Sequence, residues 1–89
     1  MPKVIITHDV ADVDTWLKGK ADRVESVSAM GGSNVVDHVA QDGSNKIAIS
    51  AHTDDVDALV AKMASPSPEV LARMQEHGVI PPLTVYVER

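Results

Sequence analysis

Residues 34–52 read NVVDHVAQDGSNKIAISAH. Two strand-like runs, Asn34–Ala40 and Lys46–His52, flank five consecutive turn formers, Gln41-Asp42-Gly43-Ser44-Asn45. That pattern predicts a β-hairpin. Its register stays open at this level. Pairing Gln41 with Lys46 sets His38 opposite Ile49 and His52 opposite Val35, on different faces. A shift of one residue puts both histidines on one face.

On the N-terminal side, Lys3–His8 reads KVIITH, a β-branched strand with Val4, Ile6 and His8 on one face and Ile5 and Thr7 on the other. Asp9, Asp12 and Asp14 follow, and Asp12 is a suitable N-cap. Val13, Trp16, Leu17, Lys20, Ala21, Val24 and Val27 then recur at helical spacing. Gly19 weakens that helix by about 1 kcal/mol relative to alanine, and Gly31-Gly32 ends it. On the C-terminal side, Thr53-Asp54-Asp55-Val56 opens a second helix with an apolar stripe of Val56, Leu59, Val60 and Met63. Ser65-Pro66 breaks it. Ser67-Pro68-Glu69 restarts a short helix whose apolar side is Val70, Leu71 and Met74, capped by Gly78. Pro81-Pro82 leads into a last strand, Leu83–Glu88, that alternates cleanly.

The order β-α-β-β-α-(α)-β is the split βαβ, ferredoxin-like arrangement, an α+β fold of four antiparallel strands with helices on one face. The helix side is expected to pack Leu83, Val85, Val87, Ile47 and Ile49 against Trp16, Leu17, Val24, Leu59, Val60 and Met63. The other face carries Thr84, Tyr86, Ala48, Ser50, His52, Thr7 and Ile5. It is less polar than a solvated face and too polar for a dry core. The expected cover is a second copy, two sheets meeting face to face as a barrel.

The chain has 89 residues, room for one domain with a marginal core of its own. A net charge of −5 argues against nucleic acid and anionic membrane as partners, which call for clustered Lys and Arg. The absence of cysteine excludes disulfides, thiolate metal sites and thiol catalysis. No apolar run approaches transmembrane length and no signal-peptide pattern opens the chain, so the expected compartment is the cytoplasm.

Among candidate functional residues, His52 leads as a general base. It stands where the third strand meets the second helix, shares a face with Ser50 and Ala48, and is expected to have Asp37 across the hairpin to orient it. Thr7, Ser50 and Tyr86 complete the expected pocket, with His38 a further ligand contact if the register allows. Trp16 packs in the core and offers its indole N–H to a pocket wall. Arg23 is read as one half of a salt bridge and His77 as a helix cap. The acidic groups Asp9, Asp12, Asp14 and Asp54, Asp55, Asp57 precede helices and serve capping, so no metal site is expected. No phosphate loop, nucleophile elbow or dinucleotide fingerprint occurs.

The element order, the WLKGKADRVES stretch at 16–26, the DGSN turn at 42–45 and SPEVLARMQEHGVIPP at 67–82 together resemble the dimeric α/β-barrel superfamily, which includes the antibiotic-biosynthesis monooxygenases and several uncharacterised families. The resemblance implies a homodimer with a cavity between sheet and helices in each subunit. Relatives include cofactor-independent oxygenases, haem-degrading enzymes and isomerases, and the fold does not choose among them. The third strand ends without the tryptophan of the haem-degrading members, so no cofactor is expected. Two functions follow. One is a small homodimeric barrel protein binding a small, partly apolar molecule, with His52 as base of oxygenase- or isomerase-like chemistry. The other is a non-catalytic interaction module whose mixed face only forms a dimer seam.

Overall fold

The hairpin forms with the shifted register. β2 (Gly32–Val39) pairs antiparallel with β3 (Lys46–Thr53), setting Asp37 opposite Ile49 and His38 opposite Ala48. The Ala40 amide donates to the Lys46 carbonyl at 3.0 Å, and residues 41–45 form the loop. Inside it the Asp42 carboxylate accepts from the Ser44 amide at 2.9 Å, an Asx turn that draws in one more residue than a Gln41–Lys46 closure. His38 and His52 therefore share a face. They stand four residues apart along β3, about 13 Å, so they act separately.

The computed structural model describes residues 2–89. β1 (Lys3–Val10) lies between β3 and β4 (Val79–Val87), giving one antiparallel sheet in the order β2-β3-β1-β4. Along β1 the alternation is as expected: Val4, Ile6, His8 and Val10 are buried toward the helices, while Ile5 and Thr7 face away. This is the α+β ferredoxin-like fold. No helix among the described residues is long and apolar enough to cross a membrane.

The first helical stretch departs from expectation. It is two helices, α1 (Val13–Lys18) and α2 (Lys20–Ala29), with Gly19 at the break. The cause lies far along the chain. The His77 ring rests on Gly19, where any β-carbon would overlap it. The break turns α2, so its inward residues are Arg23 and Val27. Leu17 and Val24, expected in the core, are each 40% exposed. Val60 on α3 (Val56–Ala64) and Leu71 on α4 (Pro68–Glu76) are likewise exposed. On α3 the inward row is Val56, Leu59 and Met63, with Val60 beyond its edge. Asp12, Asp55 and Ser67 cap α1, α3 and α4, each accepting from a backbone N–H three residues on.

The core is split in two. One cluster joins Val4, Val27, Ala51 and Leu59. The other joins Val10, Trp16, Ile47 and Ile49. Trp16 is fully buried, and the Arg23 guanidinium lies 3.9 Å from its ring centroid. Replacing Trp16 with alanine removes the largest side chain of the second cluster and the surface on which Arg23 stacks. Trp16→Ala is expected to cost about 3–5 kcal/mol in urea-monitored unfolding, and an unchanged midpoint contradicts this packing.

Candidate functional site

Between sheet and helices lies a cavity of about 450 Å³. Its floor is Ile6, His8, Ile49 and Leu83 from the strands, and α2 supplies one wall through Asp22, Arg23, Ser26 and Val27. α4 is the roof. Val70, Arg73, Met74 and His77 recur at helical spacing and all line the cavity, yet α4 itself contains no buried residue. It packs over empty space rather than onto the sheet.

Polar contacts hold this roof to α2. Arg73 Nη1 donates to Ser26 Oγ at 3.1 Å and Nη2 to Glu25 Oε1 at 3.3 Å. His77 Nε2 lies 3.5 Å from Asp22 Oδ2. Beyond the helix, the Gly78 carbonyl accepts from the Ala11 amide at 2.8 Å. Gly78 adopts φ +75, and a β-carbon there would press on Ala11, so this exit turn requires glycine. His77 is the C-cap residue of α4, as expected, and its buried ring also fixes the α1–α2 junction.

His8 is the titratable group on the floor. It is buried, and its Nδ1 lies 2.8 Å from the Asp9 carbonyl. A carbonyl only accepts, so Nδ1 carries the proton and Nε2 is the free acceptor of the neutral ring. Burial pulls its pKa below the ordinary 6.5, outweighing the Asp9 carbonyl, which raises it; the nearby Arg23 charge lowers it further, and the Asp9 carboxylate opposes. The ring meets Trp16 edge-on, with centroids 6.2 Å apart. His8 is thus a neutral proton acceptor on an apolar floor.

Arg23 forms the expected salt bridge. Its Nε and Nη2 grip the two oxygens of Asp37 at 3.3 and 2.8 Å, and Nη1 donates to the Trp16 carbonyl at 2.7 Å. Asp37 therefore faces the helices, paired across the strands with Ile49, and does not share the face of His52. The one-residue register shift is what carries it across.

The other candidates sit on the open sheet face, away from the cavity. Ser50 pairs with Ile5 on β1 and Val36 on β2, and Ile5 pairs with Tyr86 on β4, forming one row across the sheet. His38 Nε2 and Ser50 Oγ are 3.0 Å apart. Thr7 lies between Ala48 and Thr84, and half-buried His52 between Lys3 and Ser33. Trp16 stands behind the cavity, in the core, and does not line it. Among the described residues no three His, Cys, Asp or Glu side chains gather closely enough to hold a metal ion. The cavity groups that sequence reasoning passed over are His8 and, as wall residues, Asp22 and Arg73. The signal for His8 was present: it continues the Val4–Ile6 face that must meet the helices.

Comparisons with known proteins define the fold. The chain matches no protein-family model and, at the level of sequence, no curated protein. Solved structures do match. A Bordetella bronchiseptica protein bearing the name antibiotic biosynthesis monooxygenase superposes with a TM-score of 0.72 at 16% identity, covering 99% of this chain and 94% of its own. SnoaB, a cofactor-independent oxygenase from Streptomyces nogalater, gives 0.68 at 14% identity over 99% and 92%. A nipsnap family protein of unknown function from Agrobacterium tumefaciens gives 0.66 at 12% over 99% and 86%. The chain has the ferredoxin-like fold of the antibiotic-biosynthesis-monooxygenase structures. At these identities the likeness establishes fold and leaves activity to the site.

The depressed pKa of His8 has a consequence for stability. The unfolded chain binds a proton at this ring near pH 6.5, and the folded one only at lower pH. The stabilisation is complete above about pH 6.5 and is lost as pH falls toward the folded value. Melting temperature is expected to fall between pH 7.5 and 5, and His8→Gln is expected to flatten that slope. Equal slopes in the two proteins contradict the burial of a neutral ring.

Proposed function

We propose that this protein binds a small, largely apolar molecule in the cavity between sheet and helices, and that His8 accepts a proton or hydrogen bond from it. The observation that carries this reading is the pairing of an apolar cavity of about 450 Å³ with a buried imidazole whose one nitrogen is tied to the Asp9 carbonyl. Such a volume suits a small-molecule site. The chemistry that fits is abstraction of an acidic C–H or O–H proton. That is the opening step of a proton-shift isomerisation, and of oxygenation without a cofactor, the activity named for the structurally similar SnoaB. In this reading His8, and not His52, is the base.

The chain also acts as a homodimer in this proposal. Ile5, Val36 and Tyr86 are exposed on the sheet face that no helix of the chain covers. A second copy laid there buries them and encloses Thr7, His38, Ser50 and His52 at the seam. The same face supports the alternative of an interaction module, in which the seam is the whole function. The cavity separates the two.

The test uses the apolar fluorophore N-phenyl-1-naphthylamine. Saturable binding of one probe per chain is expected, with affinity at least tenfold lower in Val70→Trp, which fills the space beneath the roof. Absence of saturable binding to the native protein overturns the cavity reading. Light scattering is expected to give twice the 9.5 kDa chain mass at micromolar concentration, and a monomer mass overturns the dimer.

A further inference from the structure

We infer that the cavity selects an uncharged ligand that carries a single N–H or O–H donor on an apolar body. The inference rests on the cavity-binding reading above and adds the charge and polarity of what enters.

The argument is a census of the charged groups at the cavity. Three cations border it, Arg23, Lys62 and Arg73, and three acids, Asp22, Glu25 and Glu69. The deepest cation is already neutralised. Arg23 is gripped at 2.8 Å by Asp37, whose side chain is only 7% exposed, and its Nη1 is engaged by the Trp16 carbonyl. Arg73 is occupied by Glu25 and Ser26. Asp22 lies beside His77. Lys62 and Glu69 stand exposed at the rim with opposite signs.

Lys62 has no partner among the described residues but stands out at the exposed rim, and an anion inside the space finds both inner cations, Arg23 and Arg73, already partnered. To gain one it must displace a carboxylate and approach others. A cation meets the guanidinium groups of Arg23 and Arg73, and the acids not held by an arginine, Asp22 and Glu69, are open to solvent and keep their own water. A charged ligand therefore gives up water to an apolar wall and finds no free partner on the inner surface in either case, which is expensive. The remaining wall is apolar, with Ile6, Ile49, Met63 and Met74 prominent. Three unbranched thioethers, Met30, Met63 and Met74, let that wall adapt to the shape of the guest. His8 Nε2, an acceptor with no hydrogen-bond partner among the described residues, is the polar anchor. An acceptor on the floor selects a donor on the ligand, because a guest lacking one leaves that nitrogen dry and unpaired.

Three probes of one skeleton test this at pH 7.5 by fluorescence titration. N-phenyl-1-naphthylamine is neutral with an N–H donor. Its N-methyl derivative is neutral without one. 8-Anilinonaphthalene-1-sulfonate carries the same rings with a fixed negative charge. The neutral donor is expected to bind tightest, the N-methyl compound about five- to tenfold weaker and the sulfonate at least tenfold weaker. In His8→Phe the advantage of the donor over its N-methyl analogue is expected to shrink to within about twofold. Glu25→Gln, a change at an exposed side chain, is expected to strengthen sulfonate binding severalfold by freeing Arg73. A sulfonate that binds the native protein as tightly as the neutral donor overturns the inference while sustaining the cavity reading. So does equal binding of the two neutral probes. Saturable binding of none of the three overturns both. The native-protein comparison stands even if a His8 variant fails to fold.

Discussion

Arg23 is the residue on which the rest of the structure depends. Its fork holds both oxygens of Asp37, fastening α2 to the edge strand β2. Its third nitrogen satisfies the Trp16 carbonyl where α1 stops at Gly19. Its planar face lies on the Trp16 ring. Its charge also helps keep His8 neutral. One buried cation thus closes a helix end, joins helix to sheet, seats the only tryptophan and tunes the floor of the cavity. An isolated charge at such depth is not tolerable, which makes Asp37 an obligatory partner. Removing either member leaves the other buried and alone, a loss of about 3–5 kcal/mol.

This polar centre explains why the core is divided. A ferredoxin-like sheet with helices on one face ordinarily fills the intervening layer with apolar side chains. Here that layer also holds the buried side chains of Arg23, His8 and His77. Apolar residues gather at the two ends, around Leu59 and around Trp16. The space between them remains open because α4 rides on polar contacts with α2. The site is therefore part of how the layer is built.

Much of this fold was legible in the sequence because its signals are local. The turn formers at 41–45, the alternation of β1 and the caps at Asp12, Asp55 and Ser67 each depend on neighbours along the chain. Two features were not legible, one because it is made across a long separation and the other because a single local hydrogen bond decides between two registers that the same residues allow. The break at Gly19 is imposed by the ring of His77, and the consequent turn of α2 exposes Leu17 and Val24 while burying Arg23. The hairpin register hangs on a single Asx turn at Asp42, and one residue of slip decides whether Asp37 faces His52 or Arg23. The candidate site shows the same division. The alternation that put His8 on the helix face was readable. That this face encloses a cavity was not, since emptiness is a property of the packed whole.

The roof helix sets a hierarchy of local stability. The strands are tied by ladders of hydrogen bonds on both sides of β1, whereas α4 buries no residue and is held by a few polar contacts at 3.1–3.5 Å. Segments of that kind open independently of the global unfolding event. The amides of α4 are therefore expected to exchange with solvent through a local excursion, while those of β1 and β3 wait for the whole domain. A guest of the proposed kind beneath α4 would touch Val70 and Met74, which line the cavity, and shift that excursion first. The slowing of amide exchange along one nine-residue helix becomes a direct measure of occupancy.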